Sequence, residues 1–246
     1  MFFLKKKKVD IINFFPESFV DIHSHLLPSI DDGAENMEDS IALIKSMRSY
    51  GIKNFITTPH VLGEVYPNTP ENIKYQLTKV QQELLKHDMQ DISISSAAEY
   101  MLDQQFSELL EEDDLLTLKD NFILVELSFF NAPFNLFDLL FQIQLKGYKP
   151  VLAHPERYNF YHNDFQNYYK LKNAGCLFQL NFLSLTEYYG KKVQQISKHL
   201  LKLGLYDFVG TDTHNKRHLD LLKSLSTKKI KDDLHHLMLN NSKFFL

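Results

Sequence analysis

With 246 residues, 44% of them apolar and 24% charged, the chain has the composition of an ordinary globular protein, long enough for one sizeable core. A formal net charge of -4 speaks against a nucleic-acid-binding protein, whose domains carry a basic face. The single cysteine, Cys176, excludes an intrachain disulfide and fits a reducing compartment.

The chain opens with MFFLKKKKVDII, in which apolar residues precede a lysine run. Nothing there reaches the length of a signal-peptide core or a membrane span, so the expected location is the cytoplasm. Residues 1–19 read as a basic and apolar arm, solvated or in transient contact with an acidic surface, and residues 20–246 as a single domain. Short β-rich apolar runs follow at 19–22, 53–57, 92–97, 122–127, 150–153, 176–180 and 206–209. Amphipathic stretches separate them. In NMEDSIALIKSMRSYG, Asn36 can cap a helix, Asp39 falls in its first turn, Ile41, Ile44 and Met47 share a face, and Gly51 ends it. NLFDLLFQIQLKG and KKVQQISKHLLKLG repeat the scheme, each with a closing glycine. This alternation predicts parallel βα units in a closed or nearly closed (β/α) barrel, with an open doubly wound sheet as the alternative. No GxGxxG or GxxxxGK follows the first strand, so dinucleotide and P-loop chemistry have no support.

In barrels of this kind the active site lies at the C-terminal ends of the strands. Those ends carry a consistent chemistry. VDIHSHLLPSIDDG ends the first strand in His23 and His25, with Asp31 and Asp32 just behind. FITTPH ends in His60, AAEY contains Glu99, LVELS contains Glu126, AHPERY supplies His154 and Arg157, FQLN ends in Asn181, and GTDTH supplies Asp212 and His214. One such histidine would be an ordinary structural residue. Packing alone, however, gives no reason to gather so many groups that are costly to desolvate at one mouth. Imidazole mixed with carboxylate and no thiolate points to manganese, iron, zinc or magnesium, and the number of donors exceeds what one ion needs.

These strings resemble, in order and spacing, the polymerase-and-histidinol-phosphatase (PHP) superfamily, and within it the bacterial protein-tyrosine phosphatases of capsular and exopolysaccharide synthesis. The resemblance runs from about Val20 to His218. It implies a distorted (β/α)7 TIM-like barrel with three divalent metal ions, manganese foremost. One ion would be held by His23, His25, Glu99 and Asp212, a second by Glu99, Glu126 and His154, and a third by Asp32, His60 and His214. Asp31 is an alternative to Asp32. Arg157 matches the family's phosphate-binding arginine, and Arg217 in HNKRH a second one.

The implied activity is hydrolysis of phosphotyrosine on a protein such as the tail of a bacterial tyrosine autokinase, by in-line attack of a hydroxide held by the metals. A phenolate leaving group, with a conjugate acid pKa of ~10, is far easier to expel than an alkoxide. The rival reading is a small-molecule phosphoesterase such as histidinol-phosphate phosphatase, and a third is a non-catalytic metal-dependent module. A cysteine phosphatase is excluded, because it needs an arginine six residues after the thiolate, where Phe182 stands after Cys176. The aromatic clusters at Phe129–Phe130 and in YNFYHNDFQNYY read mostly as packing, with a peptide-docking rim as the minority reading. The acidic run 111–114 reads as a solvated face, and His235 and His236 carry no assigned role.

Overall fold

The computed structural model describes residues 8–245, so the N-terminal arm through Lys7 lies outside the described residues. All seven expected strands form, but two of them break and resume. The first is short, β1 (Val20–Asp21), and is followed by helix α1 (Met37–Ser49). The second strand, β2 (Asn54–Thr57), stops at Pro59, which has no N–H to give to a ladder, and resumes as β3 (His60–Val61). After α2 (Pro70–Lys86) the third behaves alike: β4 (Ser93–Ser96) breaks at Ala97–Ala98 and continues as β5 (Glu99–Met101). Next come α3 (Gln104–Glu112), β6 (Phe122–Glu126), α4 (Leu136–Leu145), β7 (Lys149–Ala153), α5 (Gln166–Asn173), β8 (Leu177–Asn181), α6 (Lys191–Lys202), β9 (Phe208–Gly210), α7 (Lys216–Ser224) and α8 (Lys228–Asn240).

The breaks divide the strands into two parallel sheets, ordered β1-β2-β4 and β3-β5-β6-β7-β8-β9. Backbone bonds run on across both breaks, from Ala97 N to Thr57 O (2.9 Å) and from Glu99 N to Pro59 O (3.0 Å). The edge strands β1 and β9 are drawn together too. Asp212 N donates to His23 O at 2.7 Å, Ser24 bridges Thr213, and the Asp21 carboxylate accepts from the backbone and hydroxyl of Thr211.

Alternation along each strand separates two apolar layers. Val20, Ile22, Ile56, Leu124, Val151, Ala153 and Phe208 pack together on one side, while Phe55, Ile123, Val125, Leu152, Phe178 and Val209 join the larger cluster under the helices. Phe122 and Phe208, which open their strands, stack edge-on with Phe244 at 5.4 and 5.2 Å, so rings fill the N-terminal end of the inner layer. The opposite end is left for polar groups. Ahead of β1, Phe14, Phe15 and Phe19 are buried and pack on Phe182, with ring centroids 5.6 to 6.3 Å away.

Helix ends follow the sequence cues. Asn36 accepts from Asp39 N, and Gly51, Gly147 and Gly204 stand at φ of 91°, 86° and 67° after their helices. Among the described residues, no helix is long and apolar enough to cross a membrane.

Asn241, fully buried after α8, hydrogen-bonds both β1 and β9: its amide donates to Val20 O (2.9 Å) and Val209 O (2.6 Å) and accepts from Val209 N (3.2 Å). Replacing it orphans three buried backbone groups. Asn241→Leu is therefore expected to cost ~2–4 kcal/mol in urea unfolding, well above the effect of an exposed Asn240→Leu control.

Candidate active site

The residues singled out at the strand ends converge. Period-two alternation after β1 puts His23 and His25 on one side of the chain, with Ser24 facing away to bridge Thr213. The following loop folds back over His25 because Gly33 lies against it; a Cβ at Gly33 would meet His25 O at 2.2 Å. His60 opens β3 and Glu99 opens β5, directly paired in register. Glu126 closes β6, while His154 follows β7 and Asp212 follows β9, both with positive φ (35° and 50°). Non-glycine residues held in that region cost on the order of 1–3 kcal/mol each and concentrate at functional sites.

Nine side chains thus meet: His23, His25, Asp32, His60, Glu99, Glu126, His154, Asp212 and His214. Their donor atoms fall into four overlapping groups, each within 4.8 Å: His25 with Asp32, His60 and His214; His23 with His154 and Asp212; His23 with His25 and Glu99; and His60 with Glu99 and Glu126. The sets the resemblance implied are cut differently in three places, since His25 also joins Asp32, His60 and His214, His154 joins His23 and Asp212, and His60 joins Glu99 and Glu126.

Two features fit this cluster to divalent metal ions. First, three histidines have Nδ1 against an oxygen acceptor: His23 on Gln179 Oε1 (2.8 Å), His25 on Asp31 Oδ2 (2.8 Å) and His214 on the Asp212 carbonyl (2.9 Å). Such partners hold the proton on Nδ1 and leave the Nε2 lone pair for a cation. The Nε2 atoms of His23 and His25 point at each other from 3.3 Å. Second, His60 Nδ1, Glu99 Oε1 and His154 Nδ1 are buried without a hydrogen bond. His60 Nδ1 lies 3.0 Å from Glu126 Oε1 and still makes none. Close approach without hydrogen-bond geometry is what ligands arranged around a third party show.

Asp31 and Asp32, indistinguishable in the sequence, separate here. Asp31 is turned inward, bonded to His25 and accepting from Gly33 N at 2.9 Å and His60 N at 3.2 Å. Asp32 is half exposed and faces His214 Nε2 at 3.3 Å and His60 Nε2 at 3.5 Å. Asp32 thus shares a donor group with His25, His60 and His214, whereas Asp31 is hydrogen-bonded behind His25.

The ionisation pattern follows from this crowding. Burial opposes charge on the Glu99 carboxylate, but His23 and His60 outweigh it and hold Glu99 well below the usual carboxylate range. Glu126 goes the other way, raised by burial and by Glu99 beside it. The His60 ring, despite burial, is raised to about 9 by Glu99 and Glu126, whereas burial and the Arg157 cation push His154 down to about 4. Like and opposite charges are sorting one another inside a shared low-dielectric space.

Above this floor opens a cavity of about 310 Å³, lined by Phe129, Tyr188, Tyr189 and Arg157 as well as by the acids and histidines. The Arg157 guanidinium donates to Asp212 Oδ2 at 2.9 Å and sits between the Phe129 ring (4.7 Å) and the Tyr189 ring (4.2 Å). Asn181 also donates to Asp212 Oδ2, at 2.6 Å. Arg217 is different: it is exposed on α7, 5.4 Å over Tyr188, and does not line the cavity. Sequence reading missed Gln179, which alternation in FQLN places beside Asn181 and could have revealed. It also missed Tyr188, Tyr189 and His218. The His218 ring spans the Asp212 carbonyl (3.1 Å) and the Tyr188 hydroxyl (3.0 Å), and no local pattern marks it.

Comparison with known proteins gives the chain a family. The family model for capsular polysaccharide synthesis, CpsB/CapC, matches residues 19–246. The chain belongs to the CpsB/CapC family. It is 31% identical over 232 residues to the tyrosine-protein phosphatase YwqE of Bacillus subtilis, covering 92% of this chain and 91% of that one. To the tyrosine-protein phosphatase CpsB of Streptococcus pneumoniae it is 29% identical, over 80% of this chain and 83% of the other. Among solved structures it matches, with a TM-score of 0.76 and 30% identity over 88% of this chain and 94% of the other, one from the set comprising YwqE of Bacillus subtilis and CpsB of Streptococcus pneumoniae, described as metal-dependent tyrosine phosphatases.

If Asp31 orients His25 and Asp32 is the ligand, the two respond differently to substitution. Asp31→Ala is expected to weaken divalent-metal binding by ~10–100-fold in calorimetric titration, without changing the number of ions bound. Asp32→Ala is expected to lower that number.

Proposed function

We propose that this chain is a metal-dependent protein-tyrosine phosphatase whose substrate is a phosphotyrosine protein in the cytoplasm, such as a bacterial tyrosine kinase of capsular or exopolysaccharide synthesis. The observation that carries the reading is Arg157, fixed by Asp212 and clasped by two aromatic rings at the mouth of a cavity floored by imidazoles and carboxylates. Arg157, together with divalent ions on this floor, would suit a phosphate dianion; the Phe129, Tyr188 and Tyr189 walls suit an aryl group.

We further propose that the two sheets make a distorted (β/α)7 barrel, supported by the backbone bonds between 212–213 and 23–25. Its mouth would hold three divalent ions, manganese foremost. The implied sets are His23, His25, Glu99 and Asp212; Glu99, Glu126 and His154; and Asp32, His60 and His214. Bound divalent ions neutralise phosphoryl oxygens and acidify water at neutral pH.

The chain's own residues do the rest. Arg157 offers its remaining N–H groups to the phosphoryl oxygens in a geometry that Asp212 and the flanking rings fix beforehand. Phe129 and Tyr188 confine the substrate ring, and Phe129, stacked on His154 at 5.9 Å, keeps bulk water from that imidazole. The phenolate leaves readily, so no dedicated strong acid is needed near the ester oxygen. Cys176 takes no part: it is buried in the strand layer, away from the cavity, and burial pushes its thiol up to about 12.

Protein stripped with a chelator and reloaded with Mn²⁺ is expected to hydrolyse a phosphotyrosine peptide only when reloaded, and faster than histidinol phosphate. His154→Ala is expected to abolish turnover, and Arg157→Ala to lower it by ~10²–10³. Stoichiometric metal binding with no turnover of any aryl phosphate would sink the reading. Iodoacetamide is expected to leave activity intact and to label Cys176 only in denaturant; loss of activity on alkylating the native protein would bring the thiol back into the chemistry.

A further inference from the structure

Helix α4 is apolar on two faces. Leu136, Leu139, Leu140 and Ile143 are buried, as an amphipathic barrel helix requires, but Phe137, Phe141 and Leu145 lie in solvent with 48%, 58% and 63% of their surfaces exposed. Spaced by four residues, they form one stripe. In the loop that joins the cavity wall to the helix, Phe134 and Phe130 are fully or nearly fully exposed. Phe129 follows, half exposed, and it is also a wall of the cavity and lies against Arg157. Taking ~200 Å² for a phenylalanine side chain, the five rings present on the order of 700 Å², more than the ~300–600 Å² of the largest apolar patch on an ordinary monomer. An isolated exposed phenylalanine needs no explanation; a ridge of five that begins inside a catalytic cavity does.

Resting on the tyrosine-phosphatase reading, we infer that this ridge docks the segment of substrate protein flanking the phosphotyrosine, and that the segment it selects carries apolar or aromatic side chains. Continuity identifies the occupant. Phe129 lines the cavity and is followed directly by Phe130, so a chain that holds its phosphotyrosine in the cavity and leaves on this side passes Phe129 and meets Phe130. From Phe137 to Leu145 the helical part of the ridge measures ~12 Å at 1.5 Å per residue, the span of about four residues of extended peptide. A second copy covering the same ridge would close over Phe129 and block the cavity. Charge speaks against an anionic lipid surface: Asp138 lies within α4, and the Lys146 ammonium at its end is tied to Glu111 O in the acidic run 111–114.

The test compares wild type with F134S/F137S/F141S, both loaded with Mn²⁺, on three substrates: a phosphotyrosine peptide with apolar flanks, the same peptide with Gly/Ser flanks, and p-nitrophenyl phosphate. The substituted rings are exposed and outside the cavity, so the variant is expected to keep its circular dichroism and its turnover of p-nitrophenyl phosphate. Wild type is expected to prefer the apolar-flanked peptide by roughly tenfold or more in kcat/KM, chiefly through KM, and the variant to lose that preference. No preference in wild type, a preference retained in the variant, or an equal fall on all three substrates overturns the proposal. So does a wild-type dimer that becomes monomeric, or binding to phosphatidylglycerol vesicles that disappears, in a variant whose preference is intact; these outcomes assign the ridge to a second copy or to lipid. Absence of p-nitrophenyl phosphate turnover in wild type sinks the phosphatase reading and this proposal with it. Turnover without flank preference sinks this proposal alone.

Discussion

The Glu99 carboxylate is fully buried and faces four imidazoles: His23 Nε2 at 3.0 Å, His154 Nε2 at 3.0 Å, His60 Nδ1 at 3.2 Å and His25 Nε2 at 3.4 Å. A carboxylate in that position is prohibitively costly alone, and the rest of the architecture supplies its company. Those histidines come from three parallel strands, with His23 and His25 following β1, His60 opening β3 and His154 following β7, so they reach Glu99 only if these strands run the same way and carry their histidines at the same level. The direct pairing of His60 with Glu99 and the bonds between 212–213 and 23–25 set that level. Parallel βα topology is the means by which sequence-distant residues meet around one acid.

The same crowding goes with backbone strain at the polar end of the fold. Phe122, Phe208 and Phe244 pack at the N-terminal end with ordinary edge-to-face geometry. At the C-terminal end His154 and Asp212 take left-handed backbone conformations, and Glu99 and Glu126 stand beside each other with opposite shifts in acidity. The surrounding hydrophobic layers hold these unfavourable features in place, a division of labour expected where rigidity on one side sustains a reactive site on the other.

Much of this was legible in the sequence, because strand ends are marked by a change from β-branched and aromatic residues to His, Asp or Glu, and helix ends by Asn36, Gly51, Gly147 and Gly204. Less legible were features set by three-dimensional contact. The break at Pro59 can be rationalised from the missing N–H, but the break at Ala97–Ala98 has no local cue. Asp31 and Asp32 are chemically identical neighbours, and only the close approach of Gly33 to His25 decides which of them turns inward. Gln179 was hidden among apolar strand residues. Tyr188, Tyr189 and His218 arrive from segments whose local patterns carry no sign of a site. Arg217, which family resemblance pairs with Arg157, remains on the outer surface of α7, so the two arginines are unequal: one is built in, the other is on the rim.

That inequality bears on how the site discriminates. Arg157 is pre-positioned by an acid and two rings, so on the proposed reading little of its binding energy would go into ordering the side chain, and a phosphate would meet a donor already aimed. The rings that position it are the same rings that would contact the substrate's aryl group. Recognition of the phosphate and of the ring it is attached to are therefore mechanically linked through Phe129 and Tyr189: a substrate that leaves these walls uncovered exposes Arg157 to water and weakens its hold on the phosphoryl group. A small alkyl phosphate can satisfy the charge of this site and still leave its walls wet, and an aryl phosphate satisfies both. On the proposed function, selectivity for phosphotyrosine would require no pocket of fine stereochemical detail, only an arginine whose strength depends on aromatic cover.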